Sequence, residues 1–219
     1  MRKLMIVLFV IFFPLYTLLK LTEINAFNKN FYMKSYEENK VEYVSNRNLE
    51  ELNIITEDLF IYLNHKEDER ILKPYFNGME IEHMKDVKEL FRKGHILKDL
   101  SLVISIIAIS LSIGNKKMKM ENGIFKGLFI WWILMIILFL FTLLDFNRCF
   151  TYFHLIFFDN DLWLLNPETD LLIQMLPESF FISIFKRILL SFSLFLAIIQ
   201  IAIYIIIKRK EDSNGDLVL

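Results

Sequence analysis

Cysteine occurs once, at Cys149, in a chain of 219 residues. An internal disulfide and any multi-cysteine metal site are thereby excluded. Charge of one sign is missing too: 25 Lys and Arg stand against 26 Asp and Glu, a formal net charge of -1. No basic stripe interleaved with aromatics runs along the chain, so nucleic acid is excluded as a partner. The G-x-S-x-G, P-loop, H-E-x-x-H and dinucleotide signatures are absent, which leaves the common enzyme classes without a foothold. Six glycines and four prolines, beside many Ile, Lys, Asn and Phe, suggest a low-GC genome and say nothing of mechanism. There is no internal repeat and no low-complexity tract.

What the chain has is apolar surface. Hydrophobic residues make up 55% of it and aromatics 15%, with a mean hydropathy of +0.41, well above an ordinary soluble domain. A hydrocarbon core of roughly 30 Å asks for about 20 apolar residues in a helix. Four runs meet that demand: Leu4 to Leu21, Leu100 to Gly114 with an extension back through "GHILKD", Gly127 to Leu144, and Ile188 to Ile207. The first resembles a signal peptide, but no A-x-A-like site follows in "TEINAFNKN", so it reads as an uncleaved anchor. The expected fold is an all-α membrane protein with four transmembrane helices and a mostly helical extracytoplasmic cap. The expected order is span one at 1–22, an outer segment at 23–97, span two at 98–114 and a cytoplasmic turn at 115–126. Span three follows at 127–145, a second outer segment at 146–186, span four at 187–207 and a cytoplasmic tail at 208–219.

Orientation follows from lysine and arginine in short flanks. Arg2 and Lys3, then Lys116, Lys117, Lys119 and Lys126, then Lys208, Arg209 and Lys210 share one side, which is read as the cytoplasm. Both termini are then cytoplasmic. Lys186 and Arg187 fall on the other side, where anionic headgroups would meet them.

The outer segments carry their own pattern. Leu49, Leu52, Ile55, Leu59 and Leu63 recur at three- and four-residue spacing, an amphipathic helix that needs an apolar surface such as the outer leaflet or the tops of the spans. Asn77 stands three residues before Glu80, a helix-start signature whose helix could run straight into span two. The stretch "NAFNKNFYMKSYEENKVEYVS" has no clear period and is read as irregular with at most a short strand. In "FHLIFFDNDLWLLNPETDLLIQMLPESFF", residues 153–181, "DND" and "NPETD" turn between three apolar pieces, with Trp163 suited to the interfacial belt. The tail "KRKEDSNGDLVL" is polar enough for disorder.

Candidate chemistry centres on the histidines. His154 follows span three among phenylalanines; burial there would keep it neutral and able to accept a proton, or it is simply bonded to a carbonyl at a helix end. His83 has Asp86 at i+3 on a helical face, where a carboxylate could orient the imidazole, or both belong to a solvated charged helix. His65 and His95 are read as structural or interfacial. Asp159, Asn160 and Asp161 with His154 form either an oxygen-nitrogen metal set of no strong signature or, more cheaply, an Asx turn. Cys149 is read as packing rather than a nucleophile. A metal-dependent lipid hydrolase, an intramembrane protease and a non-catalytic membrane scaffold all stay open at this point.

"EHMKDVKELF" at 82–91 and the long 153–181 stretch, within four spans and large outward loops, resemble the bacterial lipoprotein intramolecular transacylase (Lit) family. That resemblance implies a four-span membrane enzyme of low-GC Gram-positive bacteria. Such an enzyme moves the sn-2 acyl chain of a diacylglyceryl lipoprotein to the α-amino group of its N-terminal cysteine, giving the lyso form. It further implies His83 and His154 as the catalytic pair, with Asp86, Asn160, Asp161 and Trp163 as the supporting shell. Lipidated lipoproteins and membrane lipids would be the partners, with no cofactor, no metal and no obligate protein partner. One histidine, with His154 favoured, would take the amine proton. His83, oriented by Asp86, would stabilise the oxyanion or protonate the departing glycerol oxygen, and the two roles stay interchangeable.

Overall fold

The computed structural model describes residues 2–113 and 120–215, so Lys116, Lys117 and Lys119 of the orientation argument, and residues 216–219, lie outside the described residues. Ten α-helices and a 3-10 turn at Glu69–Ile71 account for most of the described residues, among which no strand occurs. Four helices are long and apolar enough to cross a membrane: Lys3–Ala26, Gly78–Ser112, Met120–Leu144 and Glu178–Asp212. The fold is the all-α, four-span membrane protein that the hydropathy pattern implies.

The chain divides into two compact units. The first gathers 1–22, 96–140 and 188–219: most of α1 (Arg2–Ala26), the later part of α5 (Gly78–Ile113), α6 (Met120–Gly127), most of α7 (Phe129–Leu144) and the later part of α10 (Glu178–Gly215). Its outer surface is apolar, with Ile106, Ile133, Leu140, Leu194 and Ile201 exposed, as lipid contact requires. Inside, Ser101, Ser105, Ala108 and Ser112 form a buried small-residue stripe on α5. Each of the three serine hydroxyls donates to the carbonyl four residues back, at 2.6–2.7 Å, so the stripe can pack closely without an orphaned polar group. Trp131 Nε1 donates to the Val10 carbonyl at 2.8 Å. Gln200 accepts from Trp132 Nε1 and donates to the Phe125 carbonyl. The polar tail forms helix rather than coil through Gly215, where Lys210 pairs with Glu121 of α6.

The second unit gathers 23–95 and 141–187. It holds α2 (Lys29–Glu38), α3 (Val41–Ser45), α4 (Leu49–Leu63), the start of α5, α8 (Phe146–Phe157), α9 (Leu171–Met175) and the start of α10. The α4 helix opens on a capping box, Asn48 Oδ1 accepting from Glu51 N at 2.9 Å and Glu51 answering to Asn48 N, which satisfies two free donors. Its Leu52, Ile55, Leu59 and Leu63 are buried as the spacing demands. They are covered not by lipid but by a core of this unit's own, with Tyr32, Tyr36, Leu72, Met84, Met175 and Phe180. The stretch read as irregular supplies α2 and α3 to that core. Tyr32 and Tyr36 stand one helical turn apart, their hydroxyls bonded to the Ala26 carbonyl and to Thr56 at 2.8 Å each. Left-handed residues at Lys40 (φ 53°) and Asn46 (φ 54°) bound α3 and break the periodicity that would have revealed it.

At 36 residues, α5 is ~54 Å long at 1.5 Å per residue, well beyond the ~30 Å hydrocarbon thickness. Its first half carries Glu80, Glu82, Lys85, Asp86, Lys88, Glu89, Arg92 and Lys93, so only the half that follows is apolar enough to cross. His83 lies in the charged half.

Candidate active site

The site grows from the first turns of α5. Asn77 Oδ1 accepts from the backbone N–H groups of Met79 (2.9 Å) and Glu80 (3.1 Å), and Glu80 Oε2 accepts from Asn77 N at 2.7 Å. The helix-start signature is formed as the spacing predicts. Glu80 does more, because its Oε1 accepts from Leu172 N at 2.7 Å. Asp170 precedes α9 but makes no side-chain cap there, so Glu80 of α5 serves as the cap of α9. Asp170 turns back instead, accepting from Asn77 Nδ2 (3.0 Å), the Thr169 hydroxyl (2.9 Å) and Asn166 N (2.7 Å). Burial pushes the Glu80 carboxyl above its usual range, and the backbone donors of Leu172 and Asn77 pull it back.

Residues 80, 83 and 86 share one face of α5 by their three-residue spacing, and each meets the segment between 154 and 172. Glu80 reaches Leu172. The His83 ring lies 6.1 Å from that of His154 and 5.4 Å from Phe158. Asp86 Oδ2 accepts from Asn160 Nδ2 at 2.8 Å. Two hydrogen bonds thus tie one face of α5 to the segment 154–172, with the two histidines facing each other between them.

Asp145 creates α8 by ending α7: its backbone is extended (φ −162°, ψ 90°) and its side chain accepts from Arg148 N at 3.0 Å. His154 accordingly sits on a separate short helix rather than on an extension of span three. Its ring is enclosed by Phe150 (4.2 Å), Phe153 (5.4 Å), Phe158 (5.5 Å) and Trp163, which stacks at 4.6 Å and 25°. The Nδ1 atom lies 2.7 Å from the Phe150 carbonyl. A carbonyl only accepts, so Nδ1 carries the hydrogen and Nε2 holds the lone pair. The carbonyl-bonded reading of this histidine is therefore what the structure holds, and the bond selects the tautomer that leaves the Nε2 lone pair free.

Both imidazoles are buried, and burial disfavours their charged forms. It pushes the His83 pKa down to about 4, helped by His154 and opposed by Asp86. Burial also lowers His154, against the raising effect of its bond to the Phe150 carbonyl. Both are neutral at physiological pH. Asp86 acts on His83 through its charge alone: its carboxylate goes to Asn160, and His83 Nδ1 is buried without a hydrogen-bond partner.

The remaining candidates fall into place around this pair. Asn160 also accepts from Leu162 N at 3.0 Å, the Asx turn that the "DND" stretch suggests. Asp161 is exposed and its backbone carbonyl accepts from Leu164 N at 3.1 Å. Trp163 Nε1 is buried with no partner. Among the described residues, no group of three or more His, Cys, Asp and Glu converges as a metal set would. Burial raises the Cys149 pKa, which keeps the thiol protonated, and His65 sits at a left-handed turn (φ 58°). Sequence reasoning missed Glu80 as a link between elements, and with it Asp170; an acid at a helix start is visible locally, but its second partner lies 92 residues away.

The family model described as "Lipoprotein intramolecular transacylase Lit" matches residues 7–181. Among curated proteins, none matches. An in meso structure of the membrane integral lipoprotein intramolecular transacylase Lit from Bacillus cereus is similar, with a TM-score of 0.84 and 23% identity over 97% of this chain and 98% of that one. The same protein with a histidine changed to alanine gives 0.79 and 22% over 96% of each chain. With a histidine changed to arginine it gives 0.76 and 23% over 97% of this chain and 93% of that one. At such identity the likeness is one of fold.

Proposed function

The chain belongs to the lipoprotein intramolecular transacylase family of multi-pass membrane proteins, and on that premise we propose that it moves the sn-2 acyl chain of a diacylglyceryl lipoprotein onto the α-amino group of the lipoprotein's N-terminal cysteine. The observation that carries this reading is His154: a buried, neutral imidazole whose Nδ1 bond to the Phe150 carbonyl leaves Nε2 as the base. Its substrate needs such a group. An α-amine has a pKa near 7.7–8.0, so on the order of a tenth of it is neutral at pH 7, and its nitrogen becomes strongly acidic once it attacks a carbonyl.

The reaction balances without an acyl-enzyme. The amine nitrogen bonds to the ester carbonyl carbon through a ring of nitrogen, Cα, Cβ, sulfur, two glycerol carbons, the ester oxygen and the acyl carbon. The carbon-oxygen bond to glycerol then breaks, and the proton lost by nitrogen ends on the glycerol oxygen. His154 Nε2 takes that proton and returns it. Positioned acid-base catalysis of this kind contributes ~10²–10⁴-fold, and folding the substrate so that its own amine meets its own ester supplies the orientation. His83, with a pKa near 4, is neutral at pH 7 and serves as a neutral donor to the developing oxyanion rather than as the acid. Asp86 and Asn160 hold the loop against α5, and Asp161 offers a carboxylate to the substrate ammonium. The site faces the extracytoplasmic side, with both termini in the cytoplasm, and the chemistry of these residues asks for no cofactor and no protein partner beyond the lipoprotein and its lipid.

Mass spectrometry of one lipoprotein's N-terminal peptide tests the reading, in cells without such an activity that express this protein or its His154→Ala variant. The wild type shifts an acyl group from glycerol to nitrogen at unchanged total mass, and the variant does not. A diacylglyceryl peptide with a free amine, despite good expression of the wild type, refutes the transacylase reading and favours a scaffold. Free fatty acid released in a chelator-sensitive way favours a metal-dependent hydrolase instead.

A further inference from the structure

We propose that the membrane unit holds one anionic glycerophospholipid, with an acyl chain seated in a groove between the α6 and α7 span and α10, and its phosphate held by Lys126 and Lys208. The groove has a volume of about 670 Å³ and lies within that unit. It runs from Phe125 and Tyr204, whose rings are 6.3 Å apart, to Ile136 and Ala197. Gln200 lines it and is buried, donating to the Phe125 carbonyl at 3.2 Å and accepting from Trp132 Nε1. Those two bonds fasten α10 to α6 and α7, and Phe125 meets Phe129 edge-on at 5.6 Å, so the walls are set before anything enters. Apart from Gln200 the lining is aromatic and aliphatic, and what a bilayer offers to such a surface is hydrocarbon.

Length and charge identify the occupant. The helical run from Phe125 to Ile136 covers ~16 Å at 1.5 Å per residue, which matches one leaflet, half of the ~30 Å hydrocarbon core. A groove one leaflet deep takes the chain of a lipid whose headgroup stands at one end only. Basic residues mark that end. By helical spacing Lys126 shares a face with Phe129 and Ile133, and Lys208 shares one with Ile201 and Tyr204. Both lysines are exposed and neither forms an ion pair among the described residues, whereas Lys210 is paired with Glu121. Two uncompensated cations at the mouth of an apolar groove select a phosphate that carries net negative charge over a zwitterion, whose own ammonium offsets it. A chain of a diacylglyceryl lipoprotein would bring no phosphate to them. The role of the bound lipid is structural: it stabilises the fold it binds, by mass action.

Native mass spectrometry of the full chain, released from nanodiscs of equimolar phosphatidylglycerol and phosphatidylcholine, reads the number and kind of lipids retained. The wild type should keep one lipid per chain, with phosphatidylglycerol favoured about 30-fold through the two lysines. The double variant Lys126→Gln, Lys208→Gln should bring that preference to within about threefold of none. Ala197→Trp places an indole in the groove and should retain no lipid, with Ile201→Trp giving the same result if the first variant loses its helical circular dichroism. A wild type without the preference overturns the proposal, as does a double lysine variant that keeps it or a folded tryptophan variant that still retains the lipid. A wild-type dimer that Ala197→Trp dissociates overturns it too, because a second copy then fills the groove. None of these readouts involves acyl transfer, so their failure leaves the transacylase reading standing.

Discussion

Lowering the pH from 7 to 4 should destabilise this protein through His83, and the size of the effect follows from its surroundings. His83 is 7% exposed, packed edge-on to Phe158 and facing His154, with Asp86 as the nearby carboxylate that works in its favour. Its pKa is about 4 against 6.5 in the absence of those surroundings. Between those values the unfolded chain binds a proton that the folded chain does not. Stability therefore falls as pH drops through 6.5, and the loss is complete below about 4. At 1.36 kcal/mol per tenfold step, the gap corresponds to about 3 kcal/mol. For a chain of 150–250 residues, where ~1 kcal/mol moves Tm by ~2–4 °C, that is about 6–12 °C. Carboxylates titrate in the same range, so the informative quantity is the difference between wild type and His83→Gln, measured by thermal unfolding in nanodiscs at pH 7 and pH 4. The difference should shift by about 6–12 °C in favour of the variant at low pH. A difference that stays constant from pH 7 to 4 would refute the claim that burial holds His83 neutral.

Shortening Glu80 to Asp withdraws the carboxylate from Leu172 N while keeping its charge; the lost charge-assisted bond should cost about 1.5–3 kcal/mol, read as a lower Tm together with slower turnover per folded molecule. Gly127→Ala would set a new Cβ 2.8–2.9 Å from the Val10 methyls, so it should destabilise the membrane unit by about 1–3 kcal/mol. Gly94→Ala meets nothing within 4 Å inside α5 and should stabilise by about 1 kcal/mol. Thermal unfolding of the two glycine variants side by side checks both signs, and a stabilised Gly127→Ala would show that α1 does not approach that closely.

Local spacing made part of the site legible. The Asn77–Glu80 start of α5 is written in four residues, and so is the i+3 relation of His83 to Asp86, because a helix brings such neighbours together wherever it forms. The face of α4 was readable for the same reason. Its partner was not: an apolar stripe demands cover, but lipid and protein satisfy it equally, and α2 was hidden by its polar composition and by the left-handed break at Lys40. Asp86 illustrates the limit well. On its own helix it looks like the orienting partner of His83, yet its hydrogen bond goes to Asn160, 74 residues away.

The sequence by itself determined that this chain has four helices long and apolar enough to cross a membrane, since the length and hydropathy of its apolar runs, with their extensions, match a hydrocarbon core of ~30 Å. Its motifs also carried the family resemblance and named both histidines. Tertiary structure alone decided what those histidines are. Residues 71 positions apart become rings 6.1 Å apart, and a carbonyl on the preceding turn settles which nitrogen of His154 keeps a free lone pair. Burial by phenylalanines and Trp163 keeps both neutral. Protonation state, tautomer and an unpaired donor depend on which groups surround an atom in three dimensions, and a one-dimensional pattern cannot hold that information when the surrounding groups come from distant parts of the chain.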